Sequence, residues 1–137
     1  MRTVEATVKD GKRKAEEELY RLQAEFCKGM AHPKRVLILD MLKEGERTVN
    51  ELAEMTNIPQ ANLSQHLSLL RRLGLLETRR SGVNIYYSIA DKRIVEACSL
   101  VREAIGERLR KDRRMLEATS LGVKGRSERA AHSEKRS

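Results

Sequence analysis

Four breakers, Pro33, Gly45, Pro59 and Gly74, divide the middle of this chain and decide which folds remain open. Proline disfavours the α region at the residue before it, so His32-Pro33 ends one helix, and the fixed φ of Pro33 suits the first position of the next. From Pro33 to about Lys43 the chain carries Val36, Leu37, Ile38, Leu39, Met41 and Leu42. It is apolar nearly all round, which predicts a central, buried helix ended by Gly45. Thr48-x-x-Glu51 has the form of a capping box, in which each side chain satisfies a free backbone donor of the other residue. It opens a short helix, Val49 to about Thr56, with Leu52, Ala53 and Met55 inward. Thr56-Asn57-Ile58 reads as a turn, Pro59 restarts a helix that runs to Leu73, and Gly74 stops it. Two helices, the first of about two turns, joined by about three to four residues, have helix-turn-helix spacing.

The segment after Gly74 reads as a wing. Leu75 to Arg80 and Ile85 to Ile89 alternate as strands do, with Ile85, Tyr87 and Ile89 on one face. Ser81-Gly82-Val83-Asn84 supplies the turn between them. Two further helices flank this core. Ala15, Leu19, Leu22, Phe26 and Met30 form one apolar stripe between about Lys14 and Met30, with Glu16, Glu17 and Glu18 in its first turn, opposing the helix dipole. Asp91 can cap the last helix, Lys92 to about Leu116, whose stripe is Ile94, Cys98, Val101, Ile105 and Leu109. The predicted fold class is mostly α: a winged helix-turn-helix of about five helices plus a two-stranded β-hairpin wing. Residues 1–13 read as a basic flexible N-terminus, 14–118 as the winged domain for DNA binding and dimerisation, and 119–137 as a basic disordered tail.

Charged residues make up 35% of the chain and aromatic ones 3%, so the core must be aliphatic. The sequence has no apolar run long enough to span a membrane and no apolar stretch of a secretory signal near its start. Cytoplasm and reduced thiols are the expectation. The net charge of +8 is unevenly placed. Residues 15–57 hold six basic and nine acidic residues, whereas 58–90 hold Arg71, Arg72, Arg79 and Arg80 against Glu77 alone. Both ends are basic as well. A field placed in this way suits an acidic polymer.

The segment IPQANLSQHLSLLRRLG, residues 58–74, says which polymer. On a helical wheel Leu63, Leu67, Leu70 and Leu73 share one side. Ala61, Gln65, Ser68 and Arg72 lie opposite, Asn62 and Ser64 flank them, and Gln60 sits on the first turn. A helix built for stability alone would carry Glu, Lys and Ala on that face. In a helix-turn-helix the second helix enters the major groove and its N-terminal residues reach base edges. Gln and Asn pair with adenine, an alanine methyl packs on thymine, and serine bonds bases or phosphates. Arg71 and Arg72, at the far end, suit phosphates. His66 falls beside the leucines and reads as packed or phosphate-bonding. Arg79, Arg80 and Asn84 flank the hairpin tip, and arginine there fits a narrow minor groove. The expected partner is double-stranded DNA.

At these residues a resemblance appears. AHPKRVLILDML followed by TVNELAEMTNIPQANLSQHLSLLRRLGLLETRRSGVNIYYSI resembles the ArsR/SmtB family of winged-helix repressors, over roughly Leu22 to Leu109. The most specific pieces are His32-Pro33-x-Arg35, Ser64-x-His66-Leu67-x-x-Leu70 and Tyr86-Tyr87. The resemblance implies a homodimer on a palindromic operator, joined through its first and last helices. The dimer stripe would then comprise Leu19, Leu22, Phe26, Ile94, Cys98, Val101 and Ile105. The family's metal chemistry does not carry over. Thr48 and Asn50 stand where many members place a Cys-x-Cys, and Asp91 is followed by Lys92 and Arg93 where others place an Asp-x-His. No metal and no cofactor is expected, and VLILDML lacks the cysteine of persulfide-sensing members.

Cys27 and Cys98 remain, one on each flanking helix, as a possible thiol sensor of oxidants or thiophilic ligands, or as two small apolar residues. Two other readings stay open: a winged-helix protein-interaction module without an operator, and a constitutive regulator with no sensed ligand. An enzyme is not expected. The sequence offers no Gly-rich phosphate loop, no metal cluster and no Ser-His-Asp set at favourable spacing, and His32 and His132 add none.

Overall fold

The breakers act where the sequence places them. A computed structural model describes the backbone of residues 2–136 and the side chains of residues 3–119. The elements run α1 (Arg2–Met30), α2 (Pro33–Leu42), β1 (Arg47–Thr48), α3 (Val49–Thr56), α4 (Gln60–Arg72), β2 (Leu76–Ser81), β3 (Asn84–Ile89) and α5 (Lys92–Arg136). His32 caps α2: its backbone is extended and its Nδ1 accepts the Lys34 N–H at 3.1 Å. Thr48 caps α3, its hydroxyl accepting the Glu51 N–H at 3.2 Å. The reciprocal half of the capping box takes another form, since the Glu51 carboxylate pairs with Arg47 at 3.6 Å.

The turn between α3 and α4 is Asn57-Ile58-Pro59. Asn57 adopts φ +57° and donates its N–H to the Ala53 carbonyl, a left-handed cap that asparagine tolerates better than most residues. Ile58 is buried beneath this turn. Pro59 is the N-cap of α4 and not its first helical residue, and its carbonyl accepts from the Leu63 N–H at 2.9 Å. At the far end the Leu75 N–H reaches the Leu70 carbonyl and the Gly74 N–H reaches that of Arg71. This is a Schellman motif, and it needs the positive φ of +79° that Gly74 adopts without a Cβ penalty.

The wing differs from the expected two-stranded hairpin. Its sheet has three strands in the order β1-β3-β2, all antiparallel, with Arg47 opposite Tyr87 and Thr48 opposite Tyr86. Strand β1 is two residues long, too short for an alternating pattern to reveal. In the hairpin Ser81 pairs with Asn84, so Gly82 and Val83 form a two-residue loop with Gly82 at φ +62°. The expected burial also fails in places. Met55 and Ile85 are exposed, because α3 buries a single narrow stripe and the hairpin outruns the core beneath it. Helix α2, expected to be buried, seals only Ile38, Leu39 and Leu42 and leaves Val36 exposed.

The core is aliphatic throughout: Ile38, Leu39 and Leu42 of α2, Leu52 of α3, Leu63, Leu67 and Leu70 of α4, and Leu75 and Leu76 at the start of the wing. Tyr87, Ile89 and Ile94 close it from the sheet and the first turn of α5. The C-terminus of α1 packs so closely on the end of α4 that a side chain at Gly29 would collide with Leu73. The N-terminal stretch, expected to be flexible, is helical from Arg2 onward. Its Val4 and Val8 are exposed, and a helix without a buried face leaves no periodicity to read.

Two units divide the chain, residues 1–96 and 97–137. The winged helix-turn-helix lies wholly in the first, with the first turn of α5. The second consists of α5 from Ala97 onward. Its Leu100, Val101, Ile105, Leu109, Met115 and Leu116 are exposed. The tail expected to be disordered at 119–137 instead continues the backbone of α5 as far as Arg136, and its side chains, that of His132 included, lie almost entirely outside those described. Among the described residues, no helix is long and apolar enough to cross a membrane.

Candidate nucleic-acid interface

Helix α4 separates a sealed face from an open one. Leu63, Leu67 and Leu70 are 0% exposed. Gln60, Ala61, Asn62, Ser64, Gln65, Ser68, Arg71 and Arg72 are all exposed. Each buried leucine contributes about 1.5–3 kcal/mol by leaving water, so the helix is held from behind. Among the described residues, Gln65, Ser68, Arg71 and Arg72 make no side-chain hydrogen bond or ion pair within the chain. Their donors and acceptors are open to solvent and available to a partner. Gln60 is different: its Nε2 donates to Oδ1 of Asn50, on the first turn of α3.

His66 occupies the flank the wheel gives it, half-buried and packed beside His32 and Arg35. Its ring centroid lies 4.8 Å from that of His32. Arg35 joins three helices here. Its Nε donates to His66 Nδ1 at 3.3 Å and its Nη1 donates to the Gly29 carbonyl at 2.6 Å. Burial pushes the His66 pKa down, and the charges of His32, Arg35 and Lys34 push it further the same way. The neutral imidazole is the form that accepts from Arg35. His66 is therefore a packed, hydrogen-bonded residue and not part of the outward face.

The wing arginines are not alike. Arg80 and Asn84 are exposed near the tip, around a Val83 that is 95% exposed. Arg79 lies along the sheet, its guanidinium 4.7 Å from the centre of the Tyr86 ring and bonded through two nitrogens to Glu46, at 2.6 and 3.1 Å. This fork lowers the Glu46 pKa and raises that of Arg79. The sequence groups Arg79 with Arg80; the structure gives Arg79 an intramolecular partner. Nothing in the sequence marks Glu46, whose place beside β3 depends on the short strand β1.

The remaining candidates are scattered. Asp91 caps α5 through the Arg93 N–H at 3.0 Å, and its carboxylate also binds the Arg93 side chain, at 2.6 Å. Among the described residues, no three His, Cys, Asp or Glu side chains gather where a metal could bind. Cys27 is exposed and Cys98 half-buried, both as thiols. Of the apolar dimer candidates, Leu19, Leu22, Val101 and Ile105 are exposed, whereas Phe26 and Ile94 pack partly on the chain's own core.

A helix-turn-helix with a polar outer face on its second helix, followed by a β-hairpin with an exposed basic tip, defines a winged DNA-binding protein. Comparison with known proteins agrees. Residues 32–78 match the model of the arsR family of bacterial regulatory proteins. The HTH-type transcriptional regulator Rv0081 of Mycobacterium tuberculosis is 43% identical over 90 residues, which cover 65% of this chain and 79% of that protein. Its crystal structure superposes with a TM-score of 0.61 over 68% of this chain and 94% of that one, at 41% identity. The homodimeric winged helix-turn-helix DNA-binding domain of Mb0332 from Mycobacterium bovis gives 0.63 at 34% identity, over 69% and 87%. The transcriptional repressor BigR of Xylella fastidiosa gives 0.60 at 32% identity, over 67% and 94%. This chain belongs to the ArsR family, and it is a DNA-binding transcriptional regulator.

Proposed function

We propose that the chain acts as a homodimeric repressor on a palindromic operator. The outer face of α4 reads bases through Gln60, Ala61, Asn62, Ser64, Gln65 and Ser68. Arg71, Arg72 and Arg80 hold phosphates, and Asn84 approaches the backbone from the wing. The observation that carries this reading is the division of α4, with every polar residue of the reading set exposed and Leu63, Leu67 and Leu70 sealed behind it. A dimer would set two such helices in major grooves about one helical turn apart. Dimerisation is supported by the exposed apolar side chains on α1 and on α5, which would otherwise stay in water, and by the homodimeric state of the Mb0332 domain. Repression is supported by the kinship with BigR. For a thiol-responsive switch at Cys27 and Cys98 the supporting fact is the exposure of Cys27, and the DNA-binding reading does not depend on it.

Affinity selection on a pool of random duplexes tests this directly. A two-fold symmetric consensus with half-sites about ten base pairs apart is the expected result. Recovery without enrichment of any sequence would overturn it. Repeating the selection with oxidised protein tests the thiols: undiminished binding with both cysteines shown to be modified removes the switch.

A further inference from the structure

Gln60 stands apart from the other readers because the chain itself holds its amide. It occupies the first helical position of α4, exposed, where a glutamine with three rotatable bonds would ordinarily sample many orientations. Here its Nε2 donates to Oδ1 of Asn50. Asn50 sits on the first turn of α3, which Thr48 caps and Leu52 anchors in the core. Both ends of the contact are thus fixed to rigid elements. One N–H of the Gln60 amide is used by Asn50. The other N–H and the carbonyl Oε1 are left, one donor and one acceptor side by side. That pair matches the acceptor and donor that adenine presents in the major groove.

We propose that Asn50 is a positioning residue for sequence recognition: it sets the Gln60 amide in the orientation that reads one base pair before DNA arrives. Preorganisation lowers the ordering cost of the contact and removes the alternative orientations that would pair with other bases. The inference rests on the reading of α4 as the recognition helix, and it assigns to α3 a role in specificity without requiring α3 to touch a base. It also explains why an asparagine stands on the exposed side of a short helix, where it contributes nothing to helix propensity.

Selection from random duplexes with wild-type protein and with Gln60→Ala, Asn50→Ala and Asn50→Asp decides the matter, with thermal melting of each variant as a check that it folds. Gln60→Ala should reduce the preference at one base pair of each half-site by about fivefold or more. Asn50→Ala should relax the preference at that same base pair by roughly two- to fivefold, leaving the rest of the consensus unchanged. Asn50→Asp keeps the acceptor, so the preference should return even where its added negative charge weakens binding overall. If Gln60→Ala changes the consensus and Asn50→Ala does not, the positioning role is overturned and the recognition helix stands. If Gln60→Ala changes nothing, Gln60 is not a reader and the proposal falls with it. An equal loss on all duplexes with Asn50→Ala, or a shift at a different base pair, would make Asn50 a direct contact and overturn the proposal as well.

Discussion

The outer face of α4 and the outer face of the wing carry similar cargo, exposed polar and basic side chains, but the chain treats them differently. On α4, Gln65, Ser68, Arg71 and Arg72 have no partner among the described residues, and the helix beneath them is fixed by three leucines at 0% exposure. On the wing, Arg79 is pinned between Tyr86 and Glu46, while Val83 and Ile85 stand in water beyond the core. A surface built to bind combines free polar groups with a rigid base. By that measure α4 is ready to read, and the wing offers one arginine without an ion pair among the described residues, Arg80, on a lightly anchored hairpin.

The largest effect should come from removing the base. Leu67→Ala should cost about 2–5 kcal/mol of stability, visible as a large drop in melting temperature and a loss of specific binding with it. Ile85→Ala, on the exposed hairpin, should cost under about 1 kcal/mol. Equal costs would mean that the two regions are equally anchored.

Charge gives the next contrast. With Arg71, Arg72 and Arg80 each neutralising one phosphate per subunit of a dimer, the slope of log K against log salt should be about −5. Glu46→Gln breaks the fork that holds Arg79. It should steepen the slope to about −7 by freeing two more arginines per dimer, at a stability cost within about 1 kcal/mol, as is usual for an exposed pair. An unchanged slope would show that Arg79 stays on the sheet without Glu46, or that it already reaches DNA in the wild-type protein.

The smallest effect concerns pH. The folded state depresses the His66 pKa, by burial first and by the neighbouring His32, Arg35 and Lys34 charges after it. The unfolded chain therefore takes up a proton first as the pH falls through about 6.5. The contribution of His66 is fully present above that value and is lost as the pH drops toward the depressed folded pKa. Melting temperature should decline from pH 8 to pH 5, and His66→Gln, which keeps an acceptor for Arg35, should flatten the decline. A rise in stability on acidification would mean that His66 gains its proton on folding.

Much of the fold is written in local pattern. The leucine spacing of α4, the cap at Thr48, the stop at Gly74 and the Gly82 turn each act within a few residues, and the sequence shows them all. The same wheel that buries the leucines places the reading residues outside. Pairing at a distance escapes it. Glu46 reaches Arg79, and Arg35 reaches His66, only after the helices and strands have been brought together, and no spacing rule connects them. Strand β1 escapes because two residues cannot alternate, and the start of α1 because a fully solvated helix has no stripe. These gaps bear on the site: they hide the neutralised wing arginine and the Asn50 contact on Gln60.

Binding of Gln65→Ala to a selected operator and to random duplex, each compared with wild type at the same salt, tests the central claim most directly. Loss of about 1–3 kcal/mol on the operator, with random duplex nearly unaffected, is the result that a base-reading α4 requires. Equal loss on both, or none on either, would show that this face of the helix does not read sequence.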